Sequence, residues 1–489
     1  MVIIGAGPAG LTAALELARA GCTCLVLEQD PDYVGGLARS VRAGAYRLDI
    51  GGHRFYTKIP QIERLWRELL GNDLKTVRRQ SRILYHRRYF NYPLSVPEAF
   101  FKLGPVNSLH CVVSYLWRRL SPVSPEVSLR DWLTNRFGDA LFHTFFESYT
   151  EKVWGLRCHE ISADWAAQRI KGFSLLEALQ HALSTAVRGP VLRPGSTPKT
   201  LIDRFLYPRL GCGMMWEQAA HQVAQAGGRI LLGRRAVAVW MNDHRVEAVE
   251  FENPEGRRTR CACKGVISSM PLRELVGALR PRCPKLVGEA AERLRYRDFI
   301  TVALVVDQAE AFSDNWLYIH DPDVKVARIQ NFANWSPEMA PEPGATMLGL
   351  EYFCFEGDDL WRMSDQALIE LARAEVAHIG LVRSEAIRWG VVVRMPKAYP
   401  IYDAVYRESV AAIRGWLAGQ AGLWSVGRNG MHQYNNQDHS MMTALLAARN
   451  FLQTDPRDPW LVNHEAQYLE RHEPSVASAG TEDSTGSVR

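Results

Sequence analysis

No run in this chain approaches the ~20 uninterrupted apolar residues of a membrane-spanning helix. The nearest stretch, Leu103 to Leu120, is interrupted by Asn107 and His110 and closed by Arg118 and Arg119, so it reads as an amphipathic helix with an option of membrane-surface contact. Charge of one sign is also scarce. The net charge is +5 over 489 residues, and no basic run is dense enough for a nucleic-acid groove, so DNA and RNA are not expected partners. The nine cysteines are scattered, and the two CxC pairs, Cys22/Cys24 and Cys261/Cys263, lie in strand-like stretches with no second ligand pair. Neither a zinc site nor any other metal centre is expected, and a reducing cytoplasm suits the chain. A strand that starts at residue 2 leaves no room for a signal peptide, which points the same way.

What is present begins at once. Val2, Ile3 and Ile4 form a short apolar strand, and Gly5, Gly7 and Gly10 complete a GxGxxG that enters an apolar helix at Pro8 and Ala9. A second strand, Thr23 to Leu27, ends at Glu28. Strand, glycines, helix, strand and acid in register make a dinucleotide-binding βαβ unit: Gly5 permits the tight turn, Gly7 lets the backbone approach a diphosphate, and Gly10 lets helix and strand pack closely. The helix N-terminus offers free amides to the phosphates, and Glu28 can accept both ribose hydroxyls. Cofactor contact is also expected at Val237.

The patterning along the chain predicts an α/β protein with a Rossmann-like nucleotide domain, parallel sheet plus β-meander, built in three parts (1–90, 209–270 and 396–455). A helical substrate subdomain (91–208) and a β-sheet substrate domain (271–395) are inserted between the parts, and a tail (456–489) has too little apolar content to fold. Within the helical part, Arg130 to Phe146 shows apolar residues at three and four apart. In the third nucleotide part a buried strand around Trp424 leads to Val426-Gly427-Arg428-Asn429-Gly430, and Asp438-His439-Ser440 opens the last helix with Asp438 as its expected N-cap.

One βαβ unit could hold NAD or FAD, so the residues after Glu28 decide. Gly35-Gly36 and Leu37, then Arg39, then Gly51-Gly52-His53 supply glycine loops and a cation that can meet a diphosphate. A second helix N-terminus at 438–440 suits the negative charge of a reduced flavin, a clamp NAD does not need. With VIIGAGPAG, EQD followed by GGLARS, DIGGH and VISSMP, the chain resembles the FAD-binding superfamily of amine oxidases, protoporphyrinogen oxidases and UDP-galactopyranose mutases. Tyr149-Thr150-Glu151-Lys152-Val153-Trp154-Gly155 and VGRNGMHQYNNQD are most similar to segments of the mutases.

The resemblance implies bound FAD, with His53 against the flavin ring and His53, Arg428 and Tyr434 as catalytic residues. It further implies that Tyr149, Lys152, Trp154, Tyr434 and Asn435 face a small-molecule substrate, and that reduced flavin acts on a nucleotide-sugar or related glycosyl donor without net redox change. The other activity it implies is an oxidoreductase of the protoporphyrinogen oxidase, amine oxidase or desaturase type that removes hydride from an organic substrate. NAD(P)H or another reductant and a homodimer are further expected partners. His432-Gln433 stands where the mutases carry Tyr-Arg, and at Arg169-Ile170-Lys171-Gly172-Phe173 the second arginine of the mutase pattern is a phenylalanine, so the sugar nucleotide differs from UDP-galactose in this reading.

Overall fold

The computed structural model describes residues 1–92, 96–163, 204–309 and 311–462. Its first layer is a five-stranded all-parallel sheet in the order Leu423–Ser425, Val266–Ser268, Val2–Ile4, Leu25–Leu27, Arg229–Leu231. All five strands are three residues long and nearly all apolar, as expected for strands covered on both faces. One face packs the helices Pro8–Arg19, Gly213–Gln225 and Gln437–Leu452, whose small residues (Ala13, Ala14, Ala444, Ala447, Ala448) let them approach closely. The other carries the meander Arg235–Asn242, Arg245–Glu252, Arg258–Ala262 and the helices Leu272–Ala278 and Lys285–Arg293. First and last parts of the chain therefore share one core.

The second layer is a seven-stranded mixed sheet centred on Tyr296–Val306 and Thr346–Cys354, both buried along their whole length. Two strands, Ser81–Tyr85 and Arg88–Asn91, join its edge, the former in parallel with Trp316–Ile319. Another, Ile387–Pro400, pairs with Tyr296–Val306. This moves two expected boundaries: Ser81–Tyr85, Arg88–Asn91 and the end of Ile387–Pro400 belong to the seven-stranded sheet and not to the parallel one. The reason is tertiary, since Ser81–Tyr85 buries Leu84 against that sheet and Ile83 against the helical subdomain.

The helical subdomain contains Pro105–Leu120 and Leu129–Phe137, then, after a break at Gly138 (φ +79°), a continuous run to Trp154 that loosens into a π-turn over Phe142–Glu147. The helical apolar spacing of 130–146 is thus carried by two runs that meet at Gly138, where a Cβ would stand 2.7 Å from Tyr115 N. Expectations for the segment at Arg169 to Phe173 and for most of the tail fall outside the described residues. Among the described residues no helix is long and apolar enough to cross a membrane, and no cluster of metal-ligating side chains is present.

Candidate active site

The carboxyl ends of the parallel strands form a cradle of backbone. Gly5 has φ +95°, and a Cβ there would sit 2.3 Å from Ser269 Oγ; at Gly10 it would sit 1.8 Å from Gly5 O. Gly10→Ala is therefore expected to lower stability by about 3 kcal/mol, the upper range of over-packing costs, read as a fall in the urea midpoint. Gly7, by contrast, has only ordinary contacts around its absent Cβ, 3.8 Å to Gly36 Cα and 3.9 Å to Gly35 O. It is the N-cap of the helix that starts with Pro8 and Ala9, and no side chain caps that terminus. The first-turn amides thus stay available to an anion.

A second loop closes over the first. Gly35 (φ +103°) donates its N–H to Ala6 O at 2.8 Å, and Gly36 and Leu37 form the short turn that follows. Arg39 leaves this turn, pairs with Asp30 at 3.1 Å and lies over the Tyr33 ring. Its Nε is buried with no hydrogen-bond partner among the described residues. The Glu28 carboxylate accepts from Ala6 N (2.7 Å) and Asp30 N (2.9 Å), and burial holds its pKa above the usual range. Val237 lies half-buried on the first meander strand, just beyond Arg234, whose N–H bonds Glu28 O.

The end of the chain arrives at the same place. Gly427 has φ +79°, with its absent Cβ only 3.1 Å from Ala9 Cβ, so the Gly427-Arg428 turn rests on the first turn of the phosphate helix. Thr443 Oγ1 accepts from Gly427 N at 3.0 Å and ties that turn to the last helix. That helix spans Gln437–Leu452, and its N-cap is Asn436, not Asp438. Asn436 caps the N3 amide while His439 Nδ1 returns to Asn436 N, a reciprocal box that pulls the start back two residues. Asp438, His439 and Ser440 lie buried in its first turn.

Between cradle and seven-stranded sheet, Gly51 (φ +80°) and Gly52 pass over Phe299 and Trp335 and present His53. His53 Nδ1–H donates to Gly51 O at 3.1 Å, which leaves Nε2 as an acceptor. Burial, then the nearby Arg428 and Arg328, push the imidazole down to about 3. His320 falls to about 3 through burial and Lys152, and His432 to about 4 through burial. Each stays neutral in the fold while its unfolded counterpart takes up a proton below about pH 6.5. Stability should therefore fall on acidification from that point, by about 1.4 kcal/mol per pH unit for each imidazole. Urea midpoints between about pH 7 and pH 5 check this, and an unchanged midpoint contradicts it.

Around His53 the walls are phenols and guanidinium groups. Tyr434 stacks on Tyr399 (5.5 Å between ring centroids), and Trp154 meets both rings edge-on. Arg428 lies over Tyr434 and Tyr399 and donates through Nε to Asn435 O at 2.9 Å. Tyr149 stacks flat on His320 at 4.5 Å. Two expected substrate contacts do not face open space. Lys152 Nζ lies within hydrogen-bond distance of three backbone carbonyls, Ile319 O, Asp321 O and Val326 O, and its burial lowers the pKa to about 8. Asn435 is buried and donates to Gly427 O at 3.3 Å, so it braces the turn that carries Arg428. These partners are all backbone carbonyls, which spacing in sequence does not reveal.

The structure adds Arg328, Glu351, Gln330 and Tyr399. Arg328 and Glu351 face each other across paired strands and form a buried ion pair; Gln330 Nε2 donates to the other Glu351 oxygen at 2.5 Å. Arg328 Nη2 also donates to Tyr399 OH at 3.3 Å. The sequence carried two signals for them: a lone acid inside the apolar strand Thr346–Cys354, and the alternation Arg328-Ile329-Gln330 that puts two polar groups on one face.

Comparison with known proteins agrees with this geometry. Residues 3–69 match the family model for an NAD(P)-binding Rossmann-like domain. No curated protein matches the chain in sequence. Among solved structures, a reduced UDP-galactopyranose mutase superposes with a TM-score of 0.80 at 21% identity, covering 94% of this chain and 98% of the mutase. An Exiguobacterium sp. 255-15 protein assigned as a protoporphyrinogen oxidase gives 0.67 at 18% (93% and 97% covered), and a putrescine oxidase 0.61 at 16% (92% and 98% covered). The chain has the fold shared by these mutase and oxidase structures.

Proposed function

We propose that this protein is an FAD-dependent enzyme of the UDP-galactopyranose mutase type, acting on a nucleotide-sugar or related glycosyl donor with its flavin reduced. The cradle fits the cofactor on three counts. Gly7 leaves space beside uncapped helix amides, the buried Arg39 Nε lacks a partner among the described residues, and Glu28 sits at the ribose end. The loop of Gly51, Gly52 and His53 and the N-terminus of Gln437–Leu452 would hold the ring. When bound, FAD supplies a two-electron carrier that is nucleophilic once reduced.

The observation that carries the substrate class is the pairing of two arginines with phenols in one cleft. Arg428 lies over Tyr434 and Tyr399, and Arg328 donates to Tyr399 OH. Cations that keep their charge suit a diphosphate. Burial keeps the Tyr399 and Tyr149 phenols protonated, so they serve as donors to anionic or sugar oxygens rather than as bases. His53, held neutral, orients through its Nε2 acceptor and does not deliver a proton. Trp154 closes the wall and keeps water from the reacting sugar.

The test reduces the holoenzyme chemistry-first: flavin reduced under anaerobic conditions, then offered UDP-, GDP- and TDP-sugars, with products resolved by NMR. A ring-isomerised sugar formed while the flavin stays reduced supports the proposal. Reduction of oxidised flavin by an added organic substrate, with no isomerisation of any sugar, would replace it with the oxidoreductase reading.

A further inference from the structure

The helix Pro105–Leu120 is inside out for a surface helix. Its buried side chains are Ser108, Cys111 and Tyr115. Its larger apolar residues point outward: Val106, Leu109, Val113, Leu116, Trp117 and Leu120, with Val106 at 79% and Leu120 at 84% exposure among the described residues. At about 100° per residue these six fall within a stripe ~100° wide that runs the ~24 Å length of the helix. Phe101, on the preceding helix Val96–Leu103, is also exposed, at 87%.

The charge left unpaired around the stripe is positive. Between Glu98 and Glu126 there is no acidic residue, whereas Lys102, Arg118 and Arg119 fall in that interval. The nearest acids are neutralised: Glu98 by Lys102 (2.5 Å), Glu126 by Arg136 (2.7 Å) and Asp139 by Arg118 (2.7 Å). Arg119 stays exposed next to Leu116 and Leu120 at the end of the stripe.

We infer that this face docks on an anionic lipid bilayer surface. A single convex apolar helix with a tryptophan at its polar boundary, and with Arg119 rather than an unpaired acid beside it, matches the lipid interface, whose headgroups supply the missing negative charge. A second copy of the chain fits less well, because the acids near this face, Glu98, Glu126 and Asp139, are already paired and leave none to meet Arg119. Among the basic side chains that line the cavity of about 550 Å³ behind the helix, Lys102, His143 and His86 are held by Glu98, Glu147 and Asp321, and Arg88 donates to Lys102 O at 2.6 Å.

The experiment uses the full chain as flavin-loaded holoprotein and co-sedimentation with vesicles of phosphatidylcholine alone or with phosphatidylglycerol. Binding is expected to the anionic vesicles, to weaken at about 0.5 M salt, and to drop roughly tenfold or more in Leu109→Glu/Leu116→Glu. Arg119→Glu, which leaves the packing untouched, should lower binding to anionic vesicles at unchanged flavin content and melting temperature. Three results overturn the inference. One is a wild-type protein that ignores anionic vesicles. Another is a wild-type dimer by light scattering that the double variant turns into a monomer, which would assign the stripe to a second copy. The third is a large loss of melting temperature in the double variant without wild-type vesicle binding, which would assign it to packing within the chain.

Discussion

Gly7→Val is expected to fold and to lose FAD. The backbone at Gly7 (φ −80°, ψ −174°) is open to any L residue, and the space where a Cβ would stand has only ordinary protein contacts, at 3.8 and 3.9 Å. The protein itself therefore does not require glycine there; a diphosphate against the helix N-terminus does. Valine methyls would occupy the phosphate position, and FAD affinity should fall about 100-fold or more, ~2.7 kcal/mol. Gly10→Ala is the contrasting case, since its Cβ would collide with Gly5 O whether or not a ligand is bound. The pair separates ligand space from packing: flavin absorbance after gel filtration should vanish in Gly7→Val at nearly wild-type apoprotein stability. A Gly7→Val protein that keeps stoichiometric FAD contradicts the assignment of the loop.

Arg328→Met is expected to abolish turnover and to destabilise the fold. Glu351 is 1% exposed and relies on Arg328 and Gln330, so removing the guanidinium strands a buried carboxylate at a cost of about 3–5 kcal/mol. The same change removes one of two cations beside Tyr399, and kcat should fall about 1,000-fold if Arg328 stabilises developing negative charge. Adding Glu351→Gln to Arg328→Met removes the stranded charge; it should restore most of the urea midpoint and none of the activity. Wild-type turnover in the double variant would make the ion pair purely structural.

How far these features could be read beforehand depended on whether they rested on backbone demands or on tertiary partners. Gly5 and the Gly427 turn are legible because their positive φ suits glycine, Gly10 because a Cβ there would meet Gly5 O, and Gly7 and Glu28 because their spacing within one βαβ unit reveals them. Lys152 and Asn435 looked like substrate contacts because a polar side chain near a recognisable segment says nothing of whether a distant carbonyl already takes its hydrogens. Arg328 sits on a four-residue strand whose partner, Glu351, is contributed by another strand, so its importance exists only once the sheet has formed. Residues 81–90 were placed in the wrong layer for a related reason. Their strands look like any alternating strand, and only pairing with Trp316–Ile319 shows which sheet they extend.

The central claim is that the start and end of the chain close around one flavin. Purified protein, desalted and denatured to release its cofactor, tests it most directly. The account predicts one FAD per chain, by absorbance and by mass, retained through gel filtration. Colourless protein that takes up no FAD from micromolar solution would contradict it.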